Sequence, residues 1–182
     1  MNFSEAQQDM RRAYYDGATG VIVSATVWLI AAIFAWQSTP GNAIGALLIG
    51  GMFIFPMSVA LSKLMGRSGV HSKDNPLSSL ATAGTLWMLL AIPIAYGASL
   101  HKPEWFFPAM LLTIGGRYLT FTTLYGLRTY YLCGAALSVA GIALVVLKMP
   151  VLAGAIAGAC IEYIFACLIF VQAKSEYRRA AV

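Results

Sequence analysis

Six apolar runs, over residues 17–36, 43–62, 80–100, 105–125, 130–147 and 151–173, constrain this chain more than any other feature of it. An α-helix rises about 1.5 Å per residue, so about twenty apolar residues cross the ~30 Å hydrocarbon core of a bilayer. In that solvent each backbone N–H and C=O has to be satisfied within its own segment, which leaves the helix as the form for separate runs of this length. The chain is therefore expected to be an all-α membrane protein, one integral domain over residues 1–182 with six transmembrane helices. Composition agrees. It is 59% hydrophobic and 10% charged, with a mean hydropathy of +0.74, where a soluble domain carries about 25% charged residues.

The connections are turn-like. Ser38-Thr-Pro-Gly-Asn42, His101-Lys-Pro-Glu104, Arg128 and Lys148-Met-Pro150 each separate two runs. The longest connection, Lys63–Ser79, is polar and is broken by Gly66, Gly69 and Pro76. Pro56 and Pro93 fall inside runs, where neighbouring helices have to compensate for the lost hydrogen bond. Ahead of the first run, Ser4 and Gln7 fit a capping box. Phe3, Met10 and Tyr14 then share a face, as in a helix lying on a membrane; an ordinary solvated tail fits as well. Residues 1–16 carry both charge signs and no small-residue cleavage pattern follows the first run, so that run is expected to be a retained span.

Charge placement orients the spans. Arg11, Arg12, Lys63, Arg67, Lys73, Arg128, Lys174, Arg178 and Arg179 fall on one side, and only Lys102 and Lys148 on the other. The positive-inside rule then puts both termini in the cytoplasm. Aromatic belts are expected at Tyr14, Tyr15, Tyr130, Tyr131 and Tyr177 inside, and at Trp36, Tyr96, Trp105 and Phe106 outside. The net charge of +5 then reflects cytoplasmic loops; no basic run interleaved with aromatics suggests nucleic acid. Cys133, Cys160 and Cys167 lie inside apolar runs with no ligand spacing, and read as small buried apolar side chains.

A tandem hairpin repeat is suggested by two matches in the same order. Thr26-Val-Trp-Leu-Ile-Ala-Ala-Ile resembles Thr85-Leu-Trp-Met-Leu-Leu-Ala-Ile, and Leu48-Ile-Gly-Gly-Met-Phe53 resembles Thr113-Ile-Gly-Gly-Arg-Tyr118. Chance matching between sequences built from few residue types is the competing account. Gly50-Gly51 and Gly115-Gly116 read as close-packing points between helices, with breaks that expose backbone to a solute as the other reading.

Two charges lie deep within runs. Arg117 and Glu162 each sit about twelve residues from the outer end of spans running in the same direction, roughly 18 Å deep. A charge at that depth calls for a partner, water or a purpose. The two are expected to pair, directly or through water. Thr113, Arg117 and Thr120 share a helical face, so two hydroxyls could serve the guanidinium. Ala155, Gly158, Ala159, Glu162 and Ala166 form a small-residue face that would let a neighbour approach. Asp16, Thr19 and Thr26 make a weaker polar line from the cytoplasmic rim, and an acid favoured by a helix N-terminus explains Asp16 as well. His71 and His101 fall in opposite loops and are expected to be solvated. Arg67-Ser-Gly-Val-His71-Ser-Lys73 could cradle a phosphate, or be simply a positive cytoplasmic loop.

Paired intramembrane aspartates, a histidine cluster, Gly-x-Ser-x-Gly and a phosphate loop are all missing from the sequence. No catalytic residue, metal site or cofactor is expected, and the chain is not expected to be an enzyme. Two functions stay open. One is a small-solute or ion transporter or channel, in which Arg117, Glu162, Thr113, Thr120 and Asp16 are the pathway candidates and a homo-oligomer is compatible. The other is a non-catalytic envelope, stress or partner-binding protein in which the Arg–Glu pair is a strut.

Glu5-Ala-Gln-Gln-Asp-Met-Arg11, Gly66-Arg-Ser-Gly69 with His71-Ser-Lys73, Trp105-Phe-Phe-Pro-Ala-Met-Leu-Leu112, Ile114-Gly-Gly-Arg-Tyr-Leu-Thr-Phe121 and Leu124-Tyr-Gly126 resemble a family of short, uncharacterised bacterial integral membrane proteins. The resemblance covers most of the chain. It implies a multi-pass protein of the bacterial inner membrane, with the lipid bilayer as its surroundings and no known activity. The hairpin arrangement is also similar, by architecture alone, to acid-resistance proteins built of two-helix units.

Overall fold

The computed structural model describes residues 1–179, with side chains to Ser175, so the side chains of Tyr177, Arg178 and Arg179 lie outside the described ones. The chain folds as α1 (Phe3–Tyr14), α2 (Ala18–Gln37), α3 (Pro40–Leu64), α4 (Leu77–His101), α5 (Phe106–Tyr125), α6 (Thr129–Val146) and α7 (Val151–Arg179). Short 3-10 turns at Tyr15–Gly17 and Pro103–Trp105 lead into α2 and α5. There is no strand among the described residues. Each expected apolar run corresponds to one of α2–α7.

Five helices are long and apolar enough to cross a membrane: α2 with α1 leading into it, α3, α4, α6 and α7. That is consistent with a multi-pass membrane protein. α5, expected as a span, falls outside the set. Its Arg117 and four threonines (Thr113, Thr120, Thr122, Thr123) lower its hydropathy. It packs against α4 and α6 on its flanks, with α7 and α1 also against it, while Leu112 and Leu119 stay exposed.

Glycines set the two largest helix–helix seams, which join α2 to α7 and α5 to α6. A Cβ at Gly158 would run into the Trp28 indole in the first seam, while one at Gly154 would lie 2.6 Å from Phe107 Cβ, where α7 meets α5. Across the second seam, a Cβ at Gly115 would lie 2.8 Å from the Gly134 carbonyl and one at Gly141 2.9 Å from the Pro108 carbonyl. In each glycine pair one residue packs and the other is open: Gly50 meets Val27 and Gly115 meets α6, while Gly51 and Gly116 face free space. Gly50 thus packs within its own hairpin and Gly115 outside its own, so these two corresponding positions do different jobs. α3 packs on α2 and α4 packs on α5, each from the outside, and the two make almost no contact with each other.

α1 is neither a free tail nor a helix apart from the bundle. Ala6, Met10 and Ala13 are buried, and α1 rests on α5 and α3. Of the face expected to lie on a membrane, Met10 is buried against the bundle while Phe3 is exposed. The capping box is Asn2 with Glu5, not Ser4 with Gln7: Asn2 Oδ1 accepts from the Glu5 N–H at 2.9 Å, and Glu5 Oε2 accepts from the Asn2 N–H at 2.8 Å. Asparagine caps as well as serine does, and Gln7 is used elsewhere, its amide donating to the Thr123 carbonyl at 2.7 Å. The 65–76 connection folds back on α1. Asn75, 2% exposed, donates to the Ala6 carbonyl and to Asp9 Oδ2, and accepts from the Leu77 N–H. His71 is not solvated but bonds the Tyr14 hydroxyl at 2.8 Å through Nδ1.

Asn75 therefore holds α1 and the loop together. Asn75→Ala leaves buried partners unsatisfied, a cost of ~1–3 kcal/mol. Trypsin cleavage after Arg11 or Arg12 is expected to rise about tenfold, since cleavage follows local opening. An unchanged rate would mean that other contacts secure α1.

Two aromatic-belt expectations fail. Tyr130 and Phe106 are completely buried, because α6 and α5 turn them into the core. Tyr131, Trp36, Tyr96 and Trp105 are exposed as expected. Of the cysteines only Cys133 is buried; Cys160 and Cys167 lie on the outer face of α7.

Candidate functional site

Glu162 is fully buried on α7. Ala155, Ala159 and Ala166 on the same face are buried too, and Gly158 admits the Trp28 indole alongside. The small-residue face does bring neighbours close, but the group that reaches the carboxyl is Tyr118. Its hydroxyl donates to Glu162 Oε1 at 3.0 Å. Ser24 of α2 faces the same carboxyl. Glu162 Oε2 has no hydrogen-bond partner.

Arg117, one residue before Tyr118, points a different way. Its Nη2 donates to Thr85 Oγ1 and its Nη1 to Met88 Sδ, both on α4 and both at 3.2 Å. Its guanidinium lies over the Phe121 ring, 5.4 Å from the centroid, and its Nε has no partner. The expected direct Arg117–Glu162 pair is not formed. Successive residues on a helix are about 100° apart, so α5 presents Tyr118 to α7 and Arg117 to α4.

The threonines expected around Arg117 are otherwise engaged. Thr113 donates to the Ala109 carbonyl at 2.8 Å and Thr120 to the Arg117 carbonyl at 2.7 Å. Bonding of this kind to the same helix is the usual recourse of a hydroxyl in an apolar segment.

The polar line expected along α2 does not run as a line. Thr26 bonds Tyr163 at 3.0 Å on the outside of the bundle, and Thr19 bonds Ser62 of α3 at 2.8 Å. Asp16, 1% exposed, is ion-paired with Arg11 at 3.1 Å. It sits in a left-handed turn with Tyr15 and Gly17, where φ is 54°, 59° and 84° in order along the chain. Tyr130 closes that turn, its hydroxyl donating to the Asp16 carbonyl at 2.8 Å. A Cβ at Gly17 would meet both Tyr130 and Tyr125.

These contacts link Asp16 to Glu162 through aromatic rings. Tyr125 and Tyr130 are stacked, 5.5 Å apart at 25°. Tyr130 lies 5.9 Å from Tyr118, and Tyr118 holds Glu162. Tyr118, Tyr130, Thr85 and Met88 were not singled out from the sequence. The available signal for Tyr118 was its position next to a deep arginine; for Thr85 it was the repeat match. Two open hollows lie at the end of the bundle away from α1. One is between the 101–105 turn and the α6–α7 turn, the other between the start of α3 and the end of α4. Neither touches Arg117 or Glu162.

Comparison with known families is decisive at one level. A profile described as a family of unknown function, DUF7010, matches residues 3–172. The chain belongs to the DUF7010 family. The match takes in α1 through nearly all of α7, so the buried Glu162, the Tyr118 bond and the Arg117 contacts all fall within the DUF7010 region. No curated protein and no solved structure matches the chain.

Proposed function

We propose that this DUF7010 protein is a small-solute or ion transporter of the bacterial inner membrane, with both termini cytoplasmic and Glu162 as the group that takes up and releases a cation or proton. The carrying observation is the Glu162 carboxyl. It is wholly buried, with one oxygen held by Tyr118 and the other without a partner. An intramembrane carboxyl left half-satisfied is costly, and such groups mark ion and proton paths. The aromatic column from Tyr118 to the Asp16 turn supports a route toward the α1 end. The cluster of Lys and Arg residues at the same end supports its assignment to the cytoplasm. The long exposed faces of α3 and α4 suit lipid or a second copy. The chain is read as a transporter and not as an enzyme.

A specific observation favours the second reading, a non-catalytic envelope or stress protein. Tyr118 bonds Glu162, Tyr130 packs on Tyr118 and Trp28 fills the space at Gly158 one turn away, as they would around a structural group that fixes packing. Proteoliposomes loaded with a pH-sensitive dye and driven by a potassium-diffusion potential separate the two. Proton flux above that of empty vesicles, falling about tenfold in Glu162→Gln, is the expected result. Equal flux in the folded variant and the native protein, or none in either, would leave the structural reading.

A further inference from the structure

Arg117 lies at the edge of the packed core. Arg117, Thr85, Met88, Phe121 and Ile114 line the α4–α5 seam and are all partly exposed. α1 packs over one end of α5, fixed through Gln7 and the Thr123 carbonyl. At the other end the start of α3 and the end of α4 converge with Pro103 around a shallow hollow. Entry to Arg117 is therefore sideways, from the apolar phase.

The charge in this seam is under-partnered. Its two bonds go to a hydroxyl and a thioether, both at 3.2 Å, and a thioether is a weak acceptor. Nε has no partner, and no carboxylate of the described residues pairs with the group. A guanidinium presents its donors in a planar fork that fits a carboxylate through two parallel bonds. One positive charge in apolar surroundings matches one negative charge; a phosphate dianion or a dicarboxylate would carry in a surplus charge at high cost. The walls supply apolar and polarisable contacts, Phe121, Ile114 and the adaptable Met88.

From this geometry we infer that the partly exposed α4–α5 seam around Arg117 is a binding site for a small lipophilic monocarboxylate. Its carboxylate meets Arg117 and Thr85, and its apolar body lies along Met88, Phe121 and Ile114. The inference names a substrate class for the transport reading and rests on that reading only for movement. Binding can fail while proton flux persists, and flux can fail while binding persists.

The test is equilibrium binding of radiolabelled octanoate to the protein in phosphatidylcholine nanodiscs. Saturable binding near one octanoate per chain is expected, with acetate and inorganic phosphate competing poorly. Arg117→Gln is expected to weaken binding by about tenfold or more and Thr85→Val by a smaller factor, while Arg128→Gln, on the exposed turn before α6, leaves it unchanged. Absence of saturable binding, or equal binding in native and Arg117→Gln protein, overturns the site. Competition by phosphate, or by discs containing phosphatidylglycerol, as strong as that by unlabelled octanoate would assign it to a phosphate or lipid headgroup instead. If Arg117→Gln does not fold, Thr85→Val decides: unchanged affinity there also overturns the site.

Discussion

Gly158→Ala is expected to destabilise the folded protein by roughly 2–3 kcal/mol, the upper part of the range for forcing atoms into a packed core. The added methyl would stand where the Trp28 indole now lies, in the seam between α2 and α7. Trp28 cannot easily give way, because it is 1% exposed and its ring also packs against Phe107 at 5.8 Å. Gly116→Ala is the matched control. Nothing lies within 4 Å of its Cβ position, so a methyl there gains helix propensity of about 0.5–1 kcal/mol. Thermal melting in detergent should therefore move in opposite directions for the two variants. Trp28→Leu placed in the Gly158→Ala background should recover part of the loss. Equal melting temperatures for the two single variants would show that the seam can open without cost.

What the sequence made legible was length and order. Helix rise is fixed, so the runs located α2–α7. What it could not set was rotation about each helix axis. α7 is apolar around most of its circumference, and the hydroxyls of Thr113 and Thr120 on α5 turn back to their own helix, so neither helix shows which way its charge points. A turn of one residue separates Arg117, which faces Thr85 and Met88, from Tyr118, which faces Glu162. The same ambiguity hid Tyr130, which hydropathy alone cannot tell from a tyrosine at an interface. α1 was illegible for another reason. Its packed face consists of Ala6, Met10 and Ala13, two of them too small to make an apolar stripe, and its hold comes from Asn75 and Gln7 across a long sequence separation. Small residues admit close neighbours here, a backbone carbonyl at Gly115, Gly134 and Gly141 and the buried rings of Trp28 and Phe107 at Gly158 and Gly154, as expected where lipid offers no hydrophobic drive to helix association.

Arg117→Leu is expected to raise the stability of the ligand-free protein by about 2–3 kcal/mol, the cost of an arginine at the centre of a membrane helix on insertion scales. The expectation follows from the partners Arg117 has. A buried arginine paired with a carboxylate would give the opposite sign, because its removal strands the other charge. Here the removal strands only the Thr85 hydroxyl, which also donates to the Ala81 carbonyl, and the Met88 sulfur. Glu162 keeps Tyr118 in either case. A double-mutant cycle in an SDS-unfolding titration makes the distinction quantitative. Arg117→Leu with Glu162→Gln should be additive to within about 0.5 kcal/mol, whereas Tyr118→Phe with Glu162→Gln should show coupling of about 1 kcal/mol or more. A destabilising Arg117→Leu that is cancelled by Glu162→Gln would mean that the two charges meet in the membrane after all. A stabilising one fits an arginine that nothing in the described structure needs for its fold, and whose partner must come from outside the chain.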